Sequence, residues 1–286
     1  MLKLVLAAGL ALASLVCPAA GQTPTAEQNL AAAKAAYEKA PGDAEAIIWY
    51  GRRTAYLGRF QDAIDIYTHG IQTHPNDARM YRHRGHRYIS IRDFDRAVAD
   101  LSKAAQLVAG RPDEVEPDGQ PNARNIPTST LNSNVYYHLG LAHYLRGDFQ
   151  KAAEAYRQCM TFSKNPDMLS ATTHWLYMTL RRLERRSEAD ALLEPITAGM
   201  DIIENGSYHK LLMMYKGANT PESLLAASAQ GGLDAVTIGY GVANWHLYNG
   251  RKDQAAAVLK QVVEQHSAQR AAFGFIAAER ELARLR

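Results

Sequence analysis

The sequence predicts an all-α fold of stacked antiparallel helix pairs, and three observations predict it. From Ala44 the chain repeats every 34 residues, in units that begin at Ala44, Ala78 and Ser133. Small residues recur at the eighth and twentieth positions, as Gly51 with Ala63, Gly85 with Ala97 and Gly140 with Ala152. Aromatic or large apolar residues recur around them, as Phe60 and Tyr67, Tyr81, Phe94 and Leu101, then Tyr136, Phe149 and Tyr156. Small side chains let two helices of one unit approach, and the large ones fill the space between units. Each contributes roughly 1.5–3 kcal/mol when buried. One unit cannot bury both of its apolar faces, so the units must stack, with more polar caps at the ends.

The elements follow in order. Residues 22–43 hold an alanine-rich helix, Ala26 to Lys39, that stops at Pro41-Gly42 and reads as an N-terminal cap. Units one and two occupy 44–107 without a gap. Between 108 and 132 the chain turns to Gly110-Arg111-Pro112-Asp113-Glu114-Val115-Glu116-Pro117-Asp118-Gly119-Gln120-Pro121, which no helix tolerates. An insertion of this length loops out of the array, and such loops are commonly functional or disordered. Its acidic residues lack the alternating oxygen ligands of a calcium loop, so a solvated acidic loop is expected. Unit three spans 133–166, and a degenerate fourth spans 167–200, with Trp175, Leu176, Leu180, Ala189 and Ile196 at helix-pair spacing and Arg185-Arg186 in place of the turn glycine. Residues 201–235 carry two short helices, Ser207 to Tyr215 and Pro221 to Ala227. Residues 236–286 form a degenerate fifth unit and a closing helix whose charged end, Glu279 to Arg284, suits a solvated cap.

The recurrence of several positions at once resembles the tetratricopeptide repeat (TPR) family, whose period is 34 residues. The resemblance implies a right-handed superhelical TPR solenoid of stacked antiparallel helix pairs with N- and C-terminal capping helices. It also implies a concave groove lined by the first helix of each unit. Within the family the whole array is similar to exported or lipid-anchored bacterial repeat proteins such as the lipoprotein NlpI.

Residues 1–21 read as a signal peptide: Lys3, an apolar run from Leu4 to Val16, and small residues Ala19 and Gly21 before a cut after Gly21. The run is shorter than the roughly 20 residues of a membrane span. A lipid anchor at Cys17 is the competing reading; Val16 and Pro18 flank it where lipoprotein signals carry a small residue before the cysteine. The expected location is therefore the periplasm or the exterior, with no transmembrane span in the mature chain.

Composition excludes more than it identifies. Lys+Arg 32 against Asp+Glu 29 is nearly balanced, and no basic block tracks phosphates, so nucleic acid is not an expected partner. The mature chain keeps one cysteine, Cys159, at a small-residue repeat position, which fits a buried inert thiol. No phosphate loop, His-Glu-x-x-His or Cys-x-x-Cys is present, and nothing calls for a cofactor. Ser207-Tyr208-His209-Lys210 matches Ser-x-x-Lys, but the partner motifs of serine β-lactamases are missing. No catalytic residue is assigned, and the chain is expected not to be an enzyme.

Function is expected in the groove. Positions two, five, six and nine of each unit share one helix face. They place Arg52 of unit one, Arg79, Arg82, His83 and His86 of unit two, and Asn134, Tyr137 and His138 of unit three along it. A basic channel flanked by aromatics suits an acidic segment or a free carboxylate, which arginine binds through two hydrogen bonds. Some family members clamp chaperone C-termini with lysine, asparagine and arginine at positions that here are Ile48, Arg52, His83, Asn134 and His138. That clamp is not reproduced, so the groove carries over and its ligand does not. The leading expectation is an adaptor holding a protein or extended peptide. Two readings stand beside it: His83, His86 and His138 brought together as a metal-binding or hydrolytic site, and assembly into a homodimer.

Overall fold

The computed structural model describes residues 24–285. Residues 1–21, expected from sequence to form a signal peptide, and with them Cys17, lie outside the described residues. The described chain forms fourteen α-helices: α1 (Ala26–Lys39), α2 (Ala44–Tyr56), α3 (Phe60–Thr73), α4 (Ala78–Ser90), α5 (Phe94–Val108), α6 (Leu131–Arg146), α7 (Phe149–Phe162), α8 (Pro166–Arg182), α9 (Arg186–Ala191), α10 (Gly206–Tyr215), α11 (Pro221–Ala227), α12 (Gly232–Tyr248), α13 (Lys252–Gln265) and α14 (Phe273–Leu285). The described chain is all-helical, and from α1 to α9 and again from α10 to α14 each helix packs on the next, with α10 set against α8. The first helices of units one to three, α2, α4 and α6, also touch one another and form one wall. No described helix is long and apolar enough to cross a membrane.

The repeat chemistry explains where the helices start and turn. Asp43 and Asp77 stand just before units one and two, and their carboxylates cap α2 and α4 by accepting from the amides of Ala46 and Arg79. Between the helices of a pair the chain needs one left-handed residue. Gly58, Gly147 and Gly250 take it at φ 76°, 98° and 78°, but Arg92 and Glu184 take it at 68° and 61° in units two and four. In unit four the strained residue is thus Glu184 and not the Arg185-Arg186 pair, because Arg185 already serves as the N-cap of α9.

The glycine at the eighth position is needed for a contact the sequence pairs differently. A Cβ on Gly51 would lie 2.5 Å from the ring of Tyr67, one on Gly140 2.7 Å from Tyr156, and one on Gly85 2.7 Å from Leu101. The residue that fills the glycine's space is the twenty-fourth of the unit, while Ala63, Ala97 and Ala152 are buried beside it. The main core runs from Ile64 of α3 to Ala278 of α14 around Trp175, Tyr144, Tyr156 and Tyr240. Within it the Tyr240 hydroxyl donates to that of Tyr144 at 2.7 Å.

The C-terminal helix departs from a solvated cap. α14 packs on α12 and α13 and reaches back to α6. Helix α6 ends with carbonyls that have no partner inside the helix. Arg284 donates to Leu145 O at 2.7 Å, and Arg92 in the turn of unit two pairs with Glu279 at 2.7 Å. Glu281 is 1% exposed, held by Arg182 at 3.0 Å and Arg284 at 2.5 Å. The charges of α14 therefore close the array onto itself, because the ends of α6 and α8 offer them partners that solvent would otherwise supply.

Candidate functional site

The wall formed by α2, α4 and α6 is covered by the chain's own insertion. Leu131 N donates to Glu114 O at 2.8 Å, and Val115 pairs with Thr130 in an isolated antiparallel bridge, so residues 113–130 form a narrow strap rooted at the start of α6. Its acidic arm lies on the basic stripe. Glu116 accepts from Arg82 Nη2 at 3.0 Å and from Asn134 Nδ2 at 3.2 Å, with His83 Nε2 at 3.8 Å. Arg52 donates to Pro117 O at 2.8 Å, and Arg53 to Gly119 O at 2.6 Å. Trp49 lies beneath both guanidiniums, 4.5 Å and 5.0 Å from its ring centre. A Cβ on Gly119 would collide with Tyr56, which is why the strap can lie so close to α2. Its other arm crosses to the C-terminal half: Arg124 forms a two-pronged pair with Asp201 at 2.7 Å, and Asn122 and Thr128 donate to Glu204. The acidic loop is thus not free in solvent as the sequence suggests. Charge complementarity with α2 and α4 draws it onto the groove.

Of the eight groove residues named from sequence, four meet the strap: Arg52, Arg82 and His83, all buried, and Asn134, which touches Glu116. Tyr137 and His138 are buried on α6. His86 packs at their inner end, with its ring centre 4.4 Å from that of His138 and 5.3 Å from Phe273 of α14. The Tyr137 hydroxyl donates to Tyr208 of α10 at 3.3 Å. Arg79 stands apart. It is tied to its own helix cap Asp77 and to Glu45, and lines a separate cleft of about 600 Å³ with Arg111 and Glu114. In unit two the second position faces the rim, because Asp77, the N-cap residue just before α4, captures the Arg79 guanidinium; Asn134, second in unit three, has no such partner and turns to Glu116.

Two cavities meet at His86. One, of about 120 Å³, is lined by Arg52, Ala55, Tyr56, Tyr67, Arg82, His83, His86, Arg87 and Glu116. The other, of about 260 Å³, is lined by His86, Glu204, Ser207, Tyr208, Asp234 and Phe273 among others, with Leu233 exposed at its edge. Burial holds His83, His86 and His138 well below the usual histidine range, and the neighbouring arginines, Arg82 and Arg87 foremost, push the same way. All three are neutral at pH 7. Burial also lowers Arg87 to about 10, with Arg82 and Arg52 adding repulsion.

The histidines do not assemble a metal centre. Among the described residues no group of three or more His, Cys, Asp or Glu is placed to hold a metal ion. His138 Nδ1 is engaged with Asn134 O at 2.6 Å, His83 Nδ1 with Arg82 at 2.9 Å, and the surrounding guanidiniums repel a cation. Cys159 is buried against Thr172 and Ser133 O, and burial pushes its thiol up to about 12. Ser207 donates to Asp234 at 2.5 Å, and nothing pairs it with Lys210.

Sequence reasoning misses Arg53 and Arg87, at the tenth position of units one and two, and the strap residues Glu116, Pro117 and Gly119. Helix geometry carries a signal for Arg87, since His83 lies four residues before it on α4 and shares its side. Phe273 carries none, because only the return of α14 brings it to His86.

The tetratricopeptide repeat family model matches residues 133–166, the third unit. No curated protein matches the sequence. Among solved structures, MamA is similar at 18% identity over 68% of this chain and 92% of its own, with a TM-score of 0.46. YrrB, described as a TPR protein with an unusual peptide-binding site, is similar at 12% identity over 87% of this chain and 97% of its own, also at 0.46.

Proposed function

We propose that this chain is a non-enzymatic scaffold of the bacterial cell envelope that holds an extended acidic segment of a partner protein against α2, α4 and α6. One observation carries the reading: the wall already holds such a segment, Glu114 to Gly119, through Arg52, Arg53, Arg82 and Asn134. The contacts of Arg52 and Arg53 go to backbone carbonyls, which any extended peptide offers. Those of Arg82 and Asn134 go to a glutamate, which selects acidic sequences. The strap and the partner would then compete for the same groove. Export rests on residues 1–21 and their small residues before Gln22.

The test is fluorescence anisotropy with a labelled peptide copying residues 112–121. It should bind a variant whose residues 113–124 are replaced by a Gly-Ser linker at least tenfold more tightly than the intact protein. Arg52→Ala, Arg82→Ala and Asn134→Ala together should abolish that binding. A peptide that binds neither protein refutes the reading. The mass of the secreted chain checks export separately, with an N-terminus at Gln22 expected.

A further inference from the structure

The strap leaves the cavity beneath it short of negative charge. Three guanidiniums, Arg52, Arg82 and Arg87, line that space and one carboxylate, Glu116, faces them. Arg52 and Arg87 form no ion pair among the described residues, and Arg52 uses only its Nε, toward Tyr56, and one N–H of Nη2, toward Pro117 O, of its five N–H donors. Arg82 is 8% exposed, yet its Nε has no hydrogen-bond partner, and neither has the buried Nδ1 of His86 on the same wall. Buried polar atoms without partners are rare and costly, and buried like charges more so. Tyr67 closes the floor from α3, fully buried and stacked on His83.

We infer that this cavity between α2 and α4 is a binding site for a small doubly charged oxyanion of the phosphate or sulfate type, held by Arg52, Arg82 and Arg87 with Glu116 above it. Its size argues for a free ion: about 120 Å³ falls well short of the roughly 300 Å³ at which pockets for larger ligands begin. Two negative charges match the surplus of two positive ones. Guanidinium forks suit tetrahedral oxyanions as they suit carboxylates. The neutral His83 and His86 can donate one ring N–H each. The site shares Arg52 and Arg82 with the proposed peptide contact, but Arg87 lies under the strap and makes no contact with it, so Arg87 distinguishes the two.

Isothermal titration of the full chain, prepared in phosphate- and sulfate-free buffer, tests this with inorganic phosphate and with sulfate against chloride at matched ionic strength. Both dianions should bind saturably at one site per chain. Arg87→Met should weaken them at least tenfold and Arg87→Lys less. Glu116→Gln, which removes the competing carboxylate, should strengthen them severalfold. Arg157→Ala, which breaks a surface pair between α7 and Glu188 of α9, should leave the affinity unchanged. Thermal melts of each variant confirm folding, and a folded Arg87→Lys carries the comparison if Arg87→Met fails to fold. No saturable binding of either dianion overturns the inference, as does binding unaffected by Arg87 replacement or capture of a phosphorylated peptide without the free ion. Peptide anisotropy on the same samples reports separately on the groove.

Discussion

Among the described residues two glutamates are buried, Glu281 and Glu116, and they are buried by different means. Glu281 sits on α14 among Phe275, Ile276, Ala277 and Ala278, all buried, and its carboxylate joins Arg182 and Arg284. Glu116 sits on the strap, where Val115 and Ile126 are exposed, and its carboxylate joins Arg82 and Asn134. The first ion pair is locked by apolar burial of the element that carries it. The second belongs to a segment held almost wholly by polar contacts, which water can replace at modest net cost. A helix packed by its side chains is expected to stay closed on the array, whereas a strap held by hydrogen bonds is the element that, on the proposed reading, leaves without unfolding it.

The largest expected difference comes from deleting each carboxylate. Glu281→Ala strands Arg182 and Arg284 inside a packed interface and should cost about 3–5 kcal/mol in urea unfolding. Glu116→Ala should cost about 1 kcal/mol, because the strap can lift and let water reach Arg82. Equal losses would mean that the strap is as fixed as α14.

A smaller contrast uses two glycines. A Cβ on Gly274 would lie 2.5 Å from the Val236 carbonyl oxygen of α12, and neither backbone can give, so Gly274→Ala should cost about 1–3 kcal/mol. Gly119→Ala also meets a wall, Tyr56, but the strap can retreat from it. Its stability should change by less than about 1 kcal/mol, while the acidic peptide gains affinity. A Gly119→Ala protein as damaged as Gly274→Ala would contradict a displaceable strap.

A further contrast is a slope with pH. His174, stacked between Tyr208 and Tyr215, is lowered by burial to about 3, and His83, His86 and His138 are lowered too. Their folded values lie below the ordinary 6.5, so the unfolded chain takes up protons first as pH falls. Stability is full above about pH 6.5 and declines below it, for His174 down to about pH 3, by roughly 1.4 kcal/mol per pH unit for each histidine that stays neutral when folded. Replacing the strap by a linker should flatten the part owed to His83 and leave that of His174. Urea melts between pH 7 and pH 5 measure both.

Much of the array is legible in the sequence because its signals are local. A glycine or alanine at a fixed offset, an aspartate before a helix and an aromatic one turn away act within one unit, and the 34-residue spacing repeats them. The basic face of α4 is legible for the same reason, since residues three and four apart on a helix share a side. Arg79 shows the limit: its offset places it on that face, and its cap Asp77 turns it to the rim.

By itself, then, the sequence determined the helix pairs and the basic stripe, while the turn residues Arg92 and Glu184 escaped it. Only the tertiary structure decided what meets the stripe. Glu116 lies beyond α5 in sequence and Phe273 near the other end of the chain, and both reach His83 and His86 through packing of whole elements. Charge attraction drew the strap to α2 and α4, and unpaired carbonyls at the end of α6 drew α14 back. Neither the strap's resting place nor the partial burial of three arginines under one glutamate has a periodic signature, because each depends on a surface that exists only once the array has stacked.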